Sequence, residues 1–71
     1  MPQLHNLTNH DYDVPVDTGN GPYTVLGPKD SGQGGNSGPP SFILINDEQK
    51  VDLLKMVAIK TACERRQLQI L

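Results

Sequence analysis

The chain holds a single cysteine, Cys63, so no disulfide can close within it, and no companion ligand stands at zinc spacing from it. A small buried hydrophobe is the role expected of that thiol. Apolar residues are scarce as well, 35% of the 71 residues against about 45–50% in ordinary globular domains. A chain this short with no staple seldom stabilises itself on one private core, because too little apolar area leaves water to offset chain entropy. The sequence has no apolar run approaching the ~18 residues of a membrane span. Its opening Met-Pro-Gln-Leu-His-Asn has no basic segment followed by an apolar stretch. Residence in the cytosol is expected, unless a larger assembly carries the chain out.

A strong charge of either sign is also lacking. The formal net charge is −2, and a nucleic-acid binder would show a clustered basic patch. Lys55, Lys60 and Arg66 are spread too widely for a phosphate-facing stripe, and no aromatic lies between them for base stacking. The charge is uneven, however. Residues 1–46 carry Asp11, Asp13, Asp17 and Asp30 against Lys29 alone, while five bases and four acids share the remainder.

What is present divides into three stretches: an extended arm over 1–22, two short strands within 23–46, and a helix with an apolar tail over 47–71. Prolines at 2 and 15 and sparse apolar residues predict an extended arm. Within it Tyr12, Val14 and Val16 alternate with polar residues or proline, the pattern of a strand with one apolar side, and Pro15 restricts that strand to an edge. Asp17 to Pro22 is a cluster of turn formers where the chain should change direction. Tyr23-Thr-Val-Leu26 and Phe42-Ile-Leu-Ile45 are strand candidates able to pair as a hairpin. Between them, residues 27–41 offer no apolar side chain except prolines and read as a flexible linker.

Asn46-Asp-Glu-Gln49 reads as a capping box. One unbroken helix is predicted from there, about 47–67, with Arg65 and Arg66 near the negative end of its dipole. Val51, Leu54, Val57, Ala58, Thr61, Ala62 and Leu68 form the expected core stripe, leaving Leu53, Met56, Ile59 and Cys63 on the other side. A helix apolar on two sides requires cover on two sides. The fold class expected is a small α+β chain with an extended arm, a strand pair with a long Gly-rich loop and one C-terminal helix.

Several short motifs touch on chemistry. Val16-Asp17-Thr18-Gly19 resembles the signature of the aspartic proteases, over four residues only. That resemblance implies an Asp activating water, which needs two such carboxylates on a scaffold of many strands. Here Asn20-Gly-Pro22, a linker and a helix follow, so a turn is the better reading. Gly27 and Gly32 have the spacing of a phosphate loop, but Gln33-Gly34 stand in place of Lys-Ser/Thr. Asp11-Tyr-Asp-Val-Pro-Val lacks the glycine that a calcium loop needs at its sixth position. His5 and His10 make half a metal site at best, and Asn6-Leu-Thr8 matches a glycosylation sequon without a secretory leader.

No catalytic, cofactor or metal constellation emerges, and the expectation is a non-enzymatic structural or assembly protein. Its partners would be subunits of a larger assembly or its own copies, with no membrane, small-molecule substrate or nucleic acid. A minor capsid or cement component of a virus or phage particle is the setting expected, by analogy of type. The other reading is a small dimeric regulator or inhibitor that blocks an enzyme or a host defence factor. The residues expected to meet a partner are Tyr12, Val14, Val16, Tyr23, Val25, Phe42, Ile43, Leu44, Ile45, Leu53, Leu54, Met56, Val57, Ala58 and Leu68.

Overall fold

A computed structural model of the chain describes residues 1–19, 21–33 and 38–71. Gln3–Asn6 (β1) alternates Leu4 and Asn6 toward the interior with Gln3 and His5 away from it. This short segment is the middle of a three-stranded antiparallel sheet, between Phe42–Leu44 (β4) and Leu68–Ile70 (β5). The predicted arm is therefore corrected at its start. Every β1 residue faces a neighbour on at least one side, with Leu4 opposite Ile43 and Ile70 and with Asn6 opposite Leu68. Pro2 sits just outside the strand, where its carbonyl accepts from Ile45 N–H at 2.9 Å and its missing donor costs nothing.

The second sheet pairs Tyr12–Val14 (β2) with Thr24–Leu26 (β3), antiparallel, Tyr12 opposite Leu26 and Val14 opposite Thr24. The predicted alternation holds there: Val14 and Val16 are buried, and Asp11, Asp13 and Asp17 are exposed. Pro15 follows the strand directly. The predicted turn is also present, for Asp17 Oδ1 accepts from Gly19 N–H at 2.7 Å, and Gly19 and Gly21 adopt φ of 107° and 132°, open to glycine at no steric cost. Asn20 of that turn and residues 34–37 at the centre of the expected linker lie outside the described residues.

The expected hairpin of β3 with β4 begins and then parts. Gly27 N–H donates to Pro40 O at 2.8 Å, the first rung of such a hairpin. Beyond it β3 pairs with β2 and β4 with β1. The end of the linker folds back on its first half, since Ser41 donates to Gly32 O through both N–H and Oγ at 2.9 Å. Lys29–Ser31 forms a single 3₁₀ turn, with Lys29 N–H donating to Thr8 O.

Asn46 caps the first helix, Asp47–Leu54 (α1), with the predicted box: its side chain accepts from Gln49 N–H, and Gln49 Oε1 accepts from Asn46 N–H. The single long helix is corrected. It stops at Lys55, Met56 is extended (φ −85°, ψ 126°), and a second helix runs Val57–Glu64 (α2). Neither glycine nor proline causes the break. On one continuous helix Leu53 and Ala62 would stand about 180° apart at about 100° per residue. The extended residue re-aims the second half, so Leu53, Ile59 and Ala62 all reach the same core. The expected stripe is inverted in its first half, where Val51, Leu54, Val57 and Ala58 are exposed and Leu53 and Ile59 are buried, while Ala62 and Leu68 are buried as expected.

The end of α2 is a Schellman turn, with Arg66 N–H on Cys63 O and Gln67 N–H on Ala62 O. Arg66 takes the left-handed conformation there, φ 59°. The turn delivers the expected apolar tail to β1 as β5, so Leu68 is core and Ile70 packs against it.

The core joins Leu4, Val14, Val16, Leu26, Ile45, Leu53, Ile59, Ala62 and Leu68, drawn from both sheets and both helices. A radius of gyration of 11.2 Å matches the roughly 11 Å of a compact domain of this length. Asn6, 1% exposed, is the polar node of that interior. Its Nδ2 donates to the carbonyls of His10, Leu26 and Gly27, while Oδ1 accepts from Thr8 N–H and Thr8 Oγ. The fold is a small α+β arrangement of two helices and two antiparallel sheets among the described residues.

Candidate interaction surface

The residues expected to meet a partner separate by depth. Val14, Val16, Ile45, Leu53 and Leu68 belong to the chain's own core, at most 3% exposed, and present almost no area to another molecule. Tyr12, Phe42 and Ile43 are half-buried. Tyr23, Val25, Leu44, Leu54, Met56, Val57 and Ala58 stand in water. The exposed members fall into three places.

The first is the shoulder of the helix pair. Leu53 turns α1 inward, which directs Val51 and Leu54, three residues apart and so neighbours on one face, outward. Met56 and Val57 follow at the break. Val57 is 76% exposed and Val51 50%. Side chains of this size are worth about 1.5–3 kcal/mol each when fully buried, so their exposure along the helix pair leaves apolar surface unsatisfied. Val51 belongs to it although the expected core stripe placed it inside.

The second place is the outer face of the three-stranded sheet. Alternation directs Gln3 and His5 there with their cross-strand partners Leu44, Phe42 and Gln69. Leu71 joins them, exchanging two hydrogen bonds with Gln3 at 3.1 and 2.9 Å. Leu44 and Leu71 thus flank Gln3, both exposed. His5 stacks on Phe42 with ring centroids 4.9 Å apart and also bonds Gln3 Oε1. The ring serves the sheet surface.

The third is a cleft of about 450 Å³ between β3 and β4, lined by Thr18, Tyr23, Thr24, Val25, Pro40 and Ile43. No charged side chain lines it. Tyr23 and Val25 are exposed on one wall, and Ile43 forms the other.

The motif residues take structural posts. Asp17 closes the turn through Gly19 and offers its carbonyl to Gln49 Nε2 at 3.2 Å, tying that turn to α1. Gly27 lies so close to the linker's far end that a methyl there would overlap Pro39 O and come within 2.9 Å of Ser31 Oγ. Asn6 of the sequon is enclosed. Its role was readable from Asn-x-Thr as a side chain bonding the backbone two residues on, but two of the carbonyls it gathers, those of Leu26 and Gly27, come from 20 and 21 residues away. Cys63 is half-buried, and burial pushes its thiol above the usual range. Among the described residues no group of three metal-capable side chains gathers, and no helix is long and apolar enough to cross a membrane. No family model matches the chain, and no curated protein or solved structure matches it.

Proposed function

We propose that this chain is a non-catalytic binding protein that docks on larger protein subunits, with a virus or phage particle as the setting its small size suits. The observation that carries this reading is the exposure of Val51, Leu54, Met56 and Val57 along the helix pair. An ordinary amphipathic helix buries its apolar residues and keeps polar ones in water. Here Val51, Leu54, Met56 and Val57 stay 37–76% exposed among the described residues. The contact thus moves from the expected arm, which β1 draws into the sheet, to the helix shoulder and the open sheet face.

A second reading, a dimeric regulator or inhibitor, gains from the self-contained interior. An inhibitor has to fold before it meets its target. Nine residues from every part of the chain share one core, and no described buried side-chain polar atom lacks a partner.

The test is light-scattering mass with circular dichroism on the purified chain, alone and beside candidate capsid subunits, for the native protein and Val57→Glu. The native chain is expected to associate with copies or subunits. The variant should keep its helical signal and lose association by about tenfold or more, as desolvating a carboxylate in an apolar contact costs well over 1.4 kcal/mol. Association that survives Val57→Glu overturns the docking surface. A stable monomer that ignores every subunit tested overturns the binding reading itself.

A further inference from the structure

We infer that the cleft between β3 and β4 accepts an extended, uncharged peptide segment of a partner, which would join the two sheets by adding a strand between them. This rests on the binding-protein reading and specifies a second contact for it.

The backbone argues for a strand. Asn6 N–H donates to Ser41 O and Ile45 N–H to Pro2 O, so odd-numbered residues of the β4 segment face β1. Alternation then directs the N–H and C=O groups of Phe42 and Leu44 away from β1. On β3, Gly27 N–H points to Pro40 O, and two residues earlier Val25 must turn its N–H and C=O the same way. Two strand edges therefore face one cleft, and neither has another strand partner among the described residues. An unpaired edge is a template for a further strand. The edges meet at Gly27 and Pro40, and beyond that rung the two strands no longer pair with each other.

The chemistry of the occupant follows from the walls. A volume of about 450 Å³ lies within the roughly 300–1,000 Å³ of binding clefts. Tyr23, Val25 and Ile43 supply apolar surface, Thr18 and Thr24 supply hydroxyls, and nothing there would pair a charge. The guest must have both of its own edges free to bond β3 and β4 together. Each described strand of this chain already uses at least one edge, and β1 uses both. A folded second copy is thus a poor donor, and an unpaired segment of a different protein fits, as in strand-addition complexes.

The probe is the capped peptide Thr-Val-Thr-Val-Thr, titrated by NMR into the native chain to about millimolar concentration. In the free protein the amides of Val25, Phe42 and Leu44 are expected to exchange quickly. With peptide they should shift and slow by about tenfold or more. The same peptide N-methylated at its central residue should not bind, since it lacks the donor for one edge. Val25→Pro, which removes the β3 donor at an exposed edge position, should weaken binding by about tenfold with the melting temperature little changed. Slow exchange of those three amides before peptide is added overturns the inference. So does the absence of shifts up to that concentration, or equal binding of the N-methylated peptide. Val57→Glu should leave the titration unchanged, so a failed cleft leaves the helix shoulder to stand or fall on its own measurement.

Discussion

Residues 3–6 and 47–64 reverse the rank that local pattern gives them. Gln-Leu-His-Asn carries one aliphatic side chain and no strand signature, yet it is the central strand, with Leu4 fully enclosed and Asn6 bonded to two distant carbonyls, those of Leu26 and Gly27. The segment from Asp47 has a capping box and abundant apolar residues, yet it breaks at Met56 and leaves much of its apolar surface in water. Burial is set by where the topology places a residue. Local periodicity only says what the residue would tolerate.

The largest expected effects lie in the short strand. Leu4→Ala should cost about 2–5 kcal/mol from lost burial and the cavity left behind. Asn6→Ala should cost as much or more, because it strands several polar groups at about 1–3 kcal/mol each when they remain unsatisfied. Either change should lower the melting temperature by more than about 10 °C in a domain this size, whereas Val51→Ala on the helix shoulder should stay within about 0.5 kcal/mol. Equal costs at Leu4 and Val51 would break the contrast.

Smaller effects sharpen it. Gly27→Ala should cost about 1–3 kcal/mol in urea unfolding, since a methyl there collides with the Pro39 carbonyl and the backbone must shift. Arg66→Gly should stabilise by roughly 1–2 kcal/mol by relieving the left-handed conformation of the Schellman turn. Met56→Asp separates a broken helix from a continuous one. Met56 holds the N-cap position of α2 without a side-chain bond to offer, so aspartate should add about 0.5–1 kcal/mol as a cap. In an unbroken helix the same change would destabilise, aspartate being a weak helix former.

These differences mark what was legible in the residues. The capping box at Asn46, the turn at Asp17–Gly19, the strand at Tyr12–Val14 and the strand character of Thr24–Leu26 and Phe42–Leu44 were, because each is fixed by neighbours within a few positions. The small α+β class followed from them. Long-range choices were not legible. The pairing of β1 with both β4 and β5 joins residues about forty and more than sixty apart, and nothing local distinguishes an arm from a central strand of four residues. The helix break answers to the demand that Leu53 and Ala62 share a core, a constraint visible only once the core exists. The interaction surface was half legible for the same reason. Tyr23, Val25, Leu44 and Val57 are available, while Val14, Val16, Ile45, Leu53 and Leu68 fill the interior, since apolar character alone cannot say which side of a surface a residue will occupy.

Amide hydrogen exchange on the native chain weighs the two regions against each other most directly. The backbone N–H groups of Leu4, His5 and Asn6 should be among the slowest, opening only with global unfolding, while those of α1 near Val51 and Leu54 open locally and faster. Rapid exchange across residues 3–6 beside a uniformly protected helix through Met56 would contradict the account, restoring a free arm and an unbroken rod.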